Sequence, residues 1–399
     1  MRILWTKSEL LHPVDKGGKI RTYQMLRSLA RHHEITYLCL DDGQAAADAL
    51  QKSTEYARHT VTVPFRPPAK GTAAFAGALF RNLWSSLPYA IARYVSPQLH
   101  RRVEELAAQT DLLICDFLVP ATSIPPGLLK RSVLFQHNVE AMIWQRHASV
   151  PQNPVRRLYM KLQWRRMRRF EAGMCRRFGH VVAVSESDAE VFRSDYGVHS
   201  VSHVRTGVDL DYFTRPATAE RRAAELVFVG SMDWMPNEEG IRWFASDVFP
   251  RVQRQLPDTR LVVVGRAPTR ALKSIADGNR GVEITGSVPD VRPYLSRASL
   301  SIVPLRIGGG TRLKIYEAMG MMSPVVSTTI GAEGLPVHDG QHLRIVDGAQ
   351  AQADAIVGLL KDPVAARRLA ETAREFVERH CSWDAVATDF LAQCKDAMS

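Results

Sequence analysis

The chain has 399 residues, 45% of them hydrophobic and 23% charged, which excludes a disordered polymer and fits two globular domains better than one core. Its five cysteines, Cys39, Cys115, Cys175, Cys381 and Cys394, are odd in number without paired spacing, which argues for a reducing compartment and against a disulfide framework or a zinc site. No window reaches the about 18 apolar residues of a membrane span, Met1–Trp5 is too short for a signal segment, and the formal charge of +11 asks for an anionic partner: nucleic acid, a membrane surface or a phosphorylated substrate.

In chain order, Arg2–Trp5 predicts a first strand. The loop from His12 opens a helix running to about Arg31, and Gly17 and Gly18 at its start let backbone approach a phosphate; a plain turn would use the same pair. Glu34–Leu40, His59–Val63, Leu112–Cys115, Val133–Gln136 and Val181–Val184 predict further strands, with helical patterns between them. The pattern restarts at Leu226–Gly230 and continues through a helix at Asn237–Gln255 and strands at Leu261–Gly265, Val282–Thr285 and Ser299–Val303. Between the two series, Thr214–Arg222 is polar, interrupted by proline, and reads as a linker. Strand–helix alternation of this kind predicts an α/β fold of two parallel sheets, with a cleft at the carboxyl ends of their strands. The tail beyond Ala349 reads as helices.

The richest stretch is Gly308–Glu317. An apolar strand precedes three glycines, Thr311 can cap a helix starting at Arg312, and Gly320 and Pro324 stop it. Free N–H groups and the positive end of a helix dipole suit a phosphate there, and Arg312 and Lys314 add charge. Lys314 and Glu317 share a helix face, from which the carboxylate can accept hydrogen bonds from sugar hydroxyls. An ordinary βαβ crossover with a surface Lys–Glu pair accounts for the same residues. Further upstream, His137 ends a predicted strand and so lines the cleft, beside Asn138, which suits a helix cap.

Residues 154–178 carry nine basic side chains and one acid, Glu171. At helical period Met160, Met167, Phe170, Met174 and Phe178 fall on one face, opposite Arg157, Lys161, Arg165, Arg168, Arg169 and Arg176. This fits a core-packed helix with a solvated basic face, and equally an attraction to anionic lipid headgroups or a lipid pyrophosphate. Phe80, Leu83, Trp84, Leu87 and Tyr89 can add an apolar contact. The basic residues lack aromatic interleaving on one exposed face, which argues against nucleic acid.

Glu317-Ala318-Met319 and Pro324-Val325-Val326 resemble the donor-site segment of retaining glycosyltransferases of family 4, which have the GT-B fold. That family carries a Glu-x7-Glu pattern, whose first acid contacts the donor sugar and whose second contacts the ribose. The first falls here at Gly309, so only the second role carries over, to Glu317. His137-Asn138-x-Glu140 is similar to one branch of the family, where the histidine lies near the sugar and the donor's own phosphate takes the acceptor proton. Arg205–Asp209 resembles a segment just before the linker, with Gly207 at its turn and Arg205 facing the interdomain region. The turn around Val288 resembles the nucleobase contact. Most members place an arginine soon after the glycine at Gly230 and a lysine about five residues later; here Ser231 and Asn237 stand near those places. Arg312 and Lys314 replace small or apolar residues of the family, and are expected to stand in for the missing cations. The segment Pro13–Arg21 also looks like sugar transferases of bacterial exopolysaccharide systems, including those tied to PEP-CTERM sorting.

The resemblance implies two Rossmann-like domains facing across a cleft, residues 1–213 on the acceptor side and 214–380 for the donor, with a last helix in 381–399 crossing back to the first. It implies a retaining transfer from a nucleoside-diphosphate sugar to a lipid-linked or growing polysaccharide, at the cytoplasmic face of the membrane. No metal or other cofactor is expected, since no Asp-x-Asp motif sits at a predicted strand end. His137 and Glu317 are the expected catalytic residues. Gly17, Gly18, Arg205, Gly230, Ser231, Val288, Gly309, Gly310, Thr311, Arg312, Lys314 and Glu317 form the expected donor set. Residues 154–178 are the expected membrane contact. A sugar-nucleotide epimerase of the same fold and a non-catalytic binding subunit, made plausible by Gly309, are the alternatives.

Overall fold

Apolar runs that are buried on both faces become parallel strands, and this chain has two sets of them. The computed structural model describes residues 1–14, 17–69, 71–149, 154–307 and 313–398. In the first set β1 (Arg2–Lys7), β2 (Glu34–Asp41), β3 (His59–Pro64), β4 (Leu112–Asp116), β5 (Ser132–Phe135), β6 (His180–Ala183) and β7 (Val201–His203) form one parallel sheet in the order β3-β2-β1-β4-β5-β6-β7. In the second, β8 (Glu225–Val229), β9 (Arg260–Val264), β10 (Val282–Gly286), β11 (Leu300–Val303), β12 (Val325–Ser327) and β13 (Arg344–Ile345) form another, in the order β10-β9-β8-β11-β12-β13. Both orders reverse direction beside their first strand, which opens a crevice at the carboxyl ends there.

The sequence pattern misses β7 and β13. Both are short edge strands, only half-buried, so neither shows an apolar run. The expected helix at Asn237–Gln255 begins at Met235, and its middle, Phe244–Val248, widens into a π turn just before Pro250. Proline has no N–H to donate and its ring crowds the carbonyl four residues back, so a wider turn there relieves the ladder.

The chain divides into two compact units, Met1–Arg205 with Val386–Ser399, and Thr206–Ala385. The Thr214–Arg222 stretch belongs to the second unit, because its arginines bond that unit's backbone: Arg215 Nε donates to Ser296 O at 3.2 Å, and Arg221 to Ala298 O and Ser299 O at 3.2 Å each. The final helix, Trp383–Met398, begins in the second unit and packs in the first. The Phe390 ring packs at a tilt against Trp5 and Phe135, with centroids 5.7 and 4.9 Å away, and Gln393 donates to His203 O at 3.1 Å. Gly207 is required by packing rather than by a turn: a Cβ there would lie 2.5 Å from the Trp383 ring. Among the described residues no helix is long and apolar enough to cross a membrane.

Candidate functional site

In the first unit the carboxyl ends of β1, β4 and β5 meet the start of the helix Gly17–Leu29 around one buried carboxylate, Asp116. Its Oδ2 accepts from Trp5 Nε1 at 2.9 Å, Lys7 Nζ at 3.0 Å and Thr22 Oγ1 at 2.6 Å. Its Oδ1 lies 2.9 Å from His137 Nε2, close but out of hydrogen-bond alignment. Burial opposes the charge on Asp116, yet Lys7 and then His137 outweigh it and hold the carboxyl below the usual range. Burial also pulls Lys7 down against the attraction of Asp116, and pulls His137 down to about 3, so the imidazole is neutral. Sequence reasoning did not single out Asp116, Lys7 or Thr22. A charge ending an otherwise apolar strand was the available signal, since such a group needs a partner.

His137 is almost fully buried, and its Nδ1 has no hydrogen-bond partner among the described residues. Its ring stacks on Phe117 with centroids 3.9 Å apart. Phe117 adopts φ 71°, a left-handed backbone rare for an aromatic residue, which turns its ring over the helix start. Gly18 is the residue that tolerates it, because a Cβ there would meet Phe117 Cζ at 2.8 Å. Gly17 has open space around it. Arg205 is exposed at the end of this unit.

The loop after His137 is fixed from below by Glu171, the single acid of the basic helix Pro154–Cys175. This buried carboxylate accepts from the backbone N–H of Glu140 at 2.7 Å and Ala141 at 2.9 Å, from Tyr196 OH at 2.8 Å and from Gln136 Nε2 at 3.2 Å. It caps the helix Glu140–Ser149, and burial pushes its pKa up to about 7 despite those donors. On the outer face of the same helix Arg157, Lys161, Arg165, Arg168, Arg169 and Arg176 are exposed, while Met167, Met174 and the following Phe178 are buried. The helix Ala73–Asn82 docks beside it: Arg166 donates to Asn82 O and Leu83 O at 2.7 Å each, and Gln163 Nε2 to Asn82 Oδ1 at 3.1 Å. Phe80, Leu83 and Trp84 stay exposed there, as do Val155 and Leu158 on the basic helix.

In the second unit the site gathers after β8. Lys314, in the first turn of the helix Leu313–Gly320, donates from Nζ to Asn237 Oδ1 at 2.6 Å. Asn237 Nδ2 donates in turn to Ser231 O at 2.8 Å. The ammonium lies 4.4 Å from the Phe228 ring centre, and a Cβ on Gly230 would come within 2.9 Å of it. The structure therefore brings Lys314 to the glycine and asparagine beside which the sequence lacks a basic residue. Ser231 Oγ bonds Asp233 and accepts from Arg266 Nε at 2.7 Å, so Arg266 is a second cation near the turn, absent from the sequence reading. Glu317 is half-buried, and burial pushes its pKa up to about 7 against the pull of Lys314. Val288 is half-buried in the loop after Gly286, whose φ is +72°. Gly309, Gly310, Thr311 and Arg312 lie outside the described residues.

Two family models match: "Glycosyltransferase Family 4" over residues 16–212 and "Glycosyl transferases group 1" over residues 223–362. The chain is 31% identical over 163 residues to an uncharacterized 44.6 kDa protein of the cps region of Klebsiella pneumoniae, covering 39% of this chain and 42% of that one. It is 30% identical over 150 residues to the phosphatidyl-myo-inositol mannosyltransferase of Mycobacterium leprae, covering 36% and 40%. It thus spans less than half the length of these two curated relatives. Among solved structures, the sucrose-phosphate synthase of Thermosynechococcus elongatus superposes with a TM-score of 0.66 at 18% identity over 100% of both chains. The Anabaena protein HepE in complex with UDP superposes with a TM-score of 0.67 at 13% identity, over 99% of this chain and 100% of that one. With both sheets and both matched segments in agreement, the chain belongs to the family 4 glycosyltransferases and has the GT-B fold.

Proposed function

We propose that the protein is a retaining glycosyltransferase that moves a sugar from a nucleoside diphosphate to a lipid-linked or growing polysaccharide, at the inner face of the plasma membrane. The observation that carries this reading is the position of Lys314 Nζ, bonded to Asn237 and lying against Gly230. As the bond from the anomeric carbon to the phosphate oxygen breaks, negative charge grows on the diphosphate, and a preorganised cation there lowers the barrier. Lys314 supplies that charge, with Arg312 beside it in sequence. Glu317 accepts hydrogen bonds from the ribose, Val288 lies at the base, and the acceptor proton passes to the departing phosphate. His137, being neutral, offers Nδ1 to a sugar hydroxyl and does not act as a base. The reaction runs without a metal ion.

The UDP bound to HepE supports a nucleoside-diphosphate donor, and the name of the mannosyltransferase relative supports the transfer of a sugar. The basic helix and the exposed Phe80, Leu83 and Trp84 beside it support contact with anionic lipid, since apolar side chains insert where cations are drawn to headgroups. A thermal-shift screen against UDP-, GDP- and ADP-sugars identifies the donor, and a transfer assay with saccharide–lipid acceptors in EDTA then tests the reaction. Donor-dependent product with the donor's anomeric configuration retained is expected. Conversion of the donor to an epimer without any acceptor would overturn the proposal.

A further inference from the structure

The second unit has a cavity of about 710 Å³ at the amino ends of its strands, opposite the carboxyl end of β8 that Gly230 follows. Its floor is set by the amino ends of three strands: Ala224 precedes β8, Leu300 opens β11 and Pro324 precedes β12. Three arginines, Arg215, Arg221 and Arg367, line it. Arg215 and Arg221 spend their donors on carbonyl oxygens, Arg215 on Ser296 and Ala219, and Arg221 on Ala298, Ser299 and Met322. A carbonyl fixes a guanidinium in place without cancelling its charge. No carboxylate lies within ion-pair distance of any of the three among the described residues, although Glu371 also lines the cavity. The neighbouring Arg222 and Arg297, by contrast, both pair with Glu225, at 3.3 and 2.7 Å.

Like charges gathered without a counter-ion repel, and Arg215 and Arg367 both weaken proton binding at Arg221, after the larger effect of its partial removal from water. The opposite wall, with Leu359, Leu360 and Pro363, is apolar. We propose that this cavity is a second binding site, for a small phosphate-bearing molecule whose anionic group meets the arginines and whose body lies on the apolar wall. Arg367 bonds no carbonyl or carboxylate among the described residues, so its guanidinium fork is open to phosphate oxygens beside the fixed charges of Arg215 and Arg221, and the volume is that of a site for a small organic ligand. The site is independent of the donor reading, because none of its residues lies at the carboxyl ends of the strands.

The test is calorimetric titration of the whole protein with inorganic pyrophosphate at fixed ionic strength. Three variants are compared: Arg367→Glu in the cavity, Arg368→Glu as an exposed neighbour with the same charge change, and Lys314→Ala at the donor side. The wild type is expected to show a class of sites that Arg367→Glu weakens at least tenfold, and that Arg368→Glu and Lys314→Ala retain. Arg215→Gln, which keeps a hydrogen-bond donor but not the charge, should weaken the same class. Equal weakening by Arg367→Glu and Arg368→Glu would reduce the effect to the general field of a basic protein and overturn the proposal. Wild-type binding in Arg367→Glu would overturn it as well. A parallel arm with phosphatidylcholine vesicles containing phosphatidic acid separates the sources. Vesicle binding that depends on Arg367 while pyrophosphate binding does not would replace the small ligand with a lipid headgroup.

Discussion

Lys314 Nζ stands 2.6 Å from Asn237 Oδ1, 77 residues away in sequence, so a cation enters the turn after β8 from the helix that follows β11. A side chain with a four-carbon stem reaches where the local sequence offers only Ser231 and Asn237. If that ammonium serves the departing diphosphate, Lys314→Ala lowers turnover by about 10²–10³, with a smaller loss of nucleotide affinity. Asn237→Lys in the Lys314→Ala background restores part of the rate, because it returns a cation to the same place. Steady-state kinetics alongside nucleotide titration check both. Turnover unchanged in Lys314→Ala removes the residue from the chemistry.

Glu317→Gln weakens donor affinity by roughly 1.5–3 kcal/mol, the worth of a hydrogen bond to a charged acceptor. The deficit is fully expressed above pH 7 and shrinks below it, as the wild-type acid takes up its proton near pH 7. Stability moves the other way. Between an unfolded glutamate's pKa of about 4.3 and the folded value of about 7, the unfolded chain releases the proton first, so stability falls as pH rises through that window. The variant lacks this loss. Its melting temperature should gain on the wild type from about pH 4.5 to 7 and keep a constant lead above, which differential scanning calorimetry at several pH values resolves.

His137 should carry no charge between pH 5 and 8, since burial holds its pKa near 3. Its Cε1–H resonance, assigned by comparison with His137→Ala, is expected to stay flat across that range. The same variant should lose turnover more than nucleotide affinity. A titrating resonance with a midpoint above pH 5 would contradict the neutral ring.

Asp116→Asn should cost about 3–5 kcal/mol in urea unfolding, because it leaves the Lys7 ammonium buried without its counter-charge. Lys7→Met combined with Asp116→Asn should recover a good part of this, since neither charge is then left alone. A double variant as unstable as the sum of the singles would locate the loss elsewhere in the network.

Reversing Arg157, Lys161 and Arg165 to glutamate should release the protein from vesicles of anionic lipid, at about 1 kcal/mol for each charge removed. Trp84→Ser should weaken the same binding without changing its salt dependence, as its contribution is apolar. Sedimentation with vesicles measures both, and activity on a short soluble acceptor should survive. Undiminished binding in the triple variant argues against this face.

The sheets were legible because parallel strands are apolar on both faces, so Leu112–Cys115 or Leu261–Val264 stands out from sequence alone. The edge strands at Val201–His203 and Arg344–Ile345 were not, being short, half-buried and apolar at only one position in each. The amphipathic reading of 154–178 gave the right exposed face, but Glu171, which looked like a lone acid on a basic helix, turned out to face inward and hold the loop after His137. Local pattern carries no record of a partner thirty residues away. For the same reason the coupling of Lys7, Thr22 and His137 through Asp116 became visible only when four chain segments met. Gly207 read as a turn because no pattern links it to Trp383.

The return of the last helix to the first unit sets an order on biosynthesis. Phe390 packs against Trp5 and Phe135, yet the whole of Thr206–Ala385 is translated between them. At ~5–20 residues per second, roughly 10–35 s pass in which the nascent first unit presents an uncovered aromatic face. The second unit is contiguous in sequence and has no such wait. Val208 N donates to Cys381 O at 2.7 Å, so the two ends of that insertion close on each other before the final helix emerges. On the ribosome the later-made unit is thus the first that can finish, and an early stop within Trp383–Met398 would leave the older half as the aggregation-prone one.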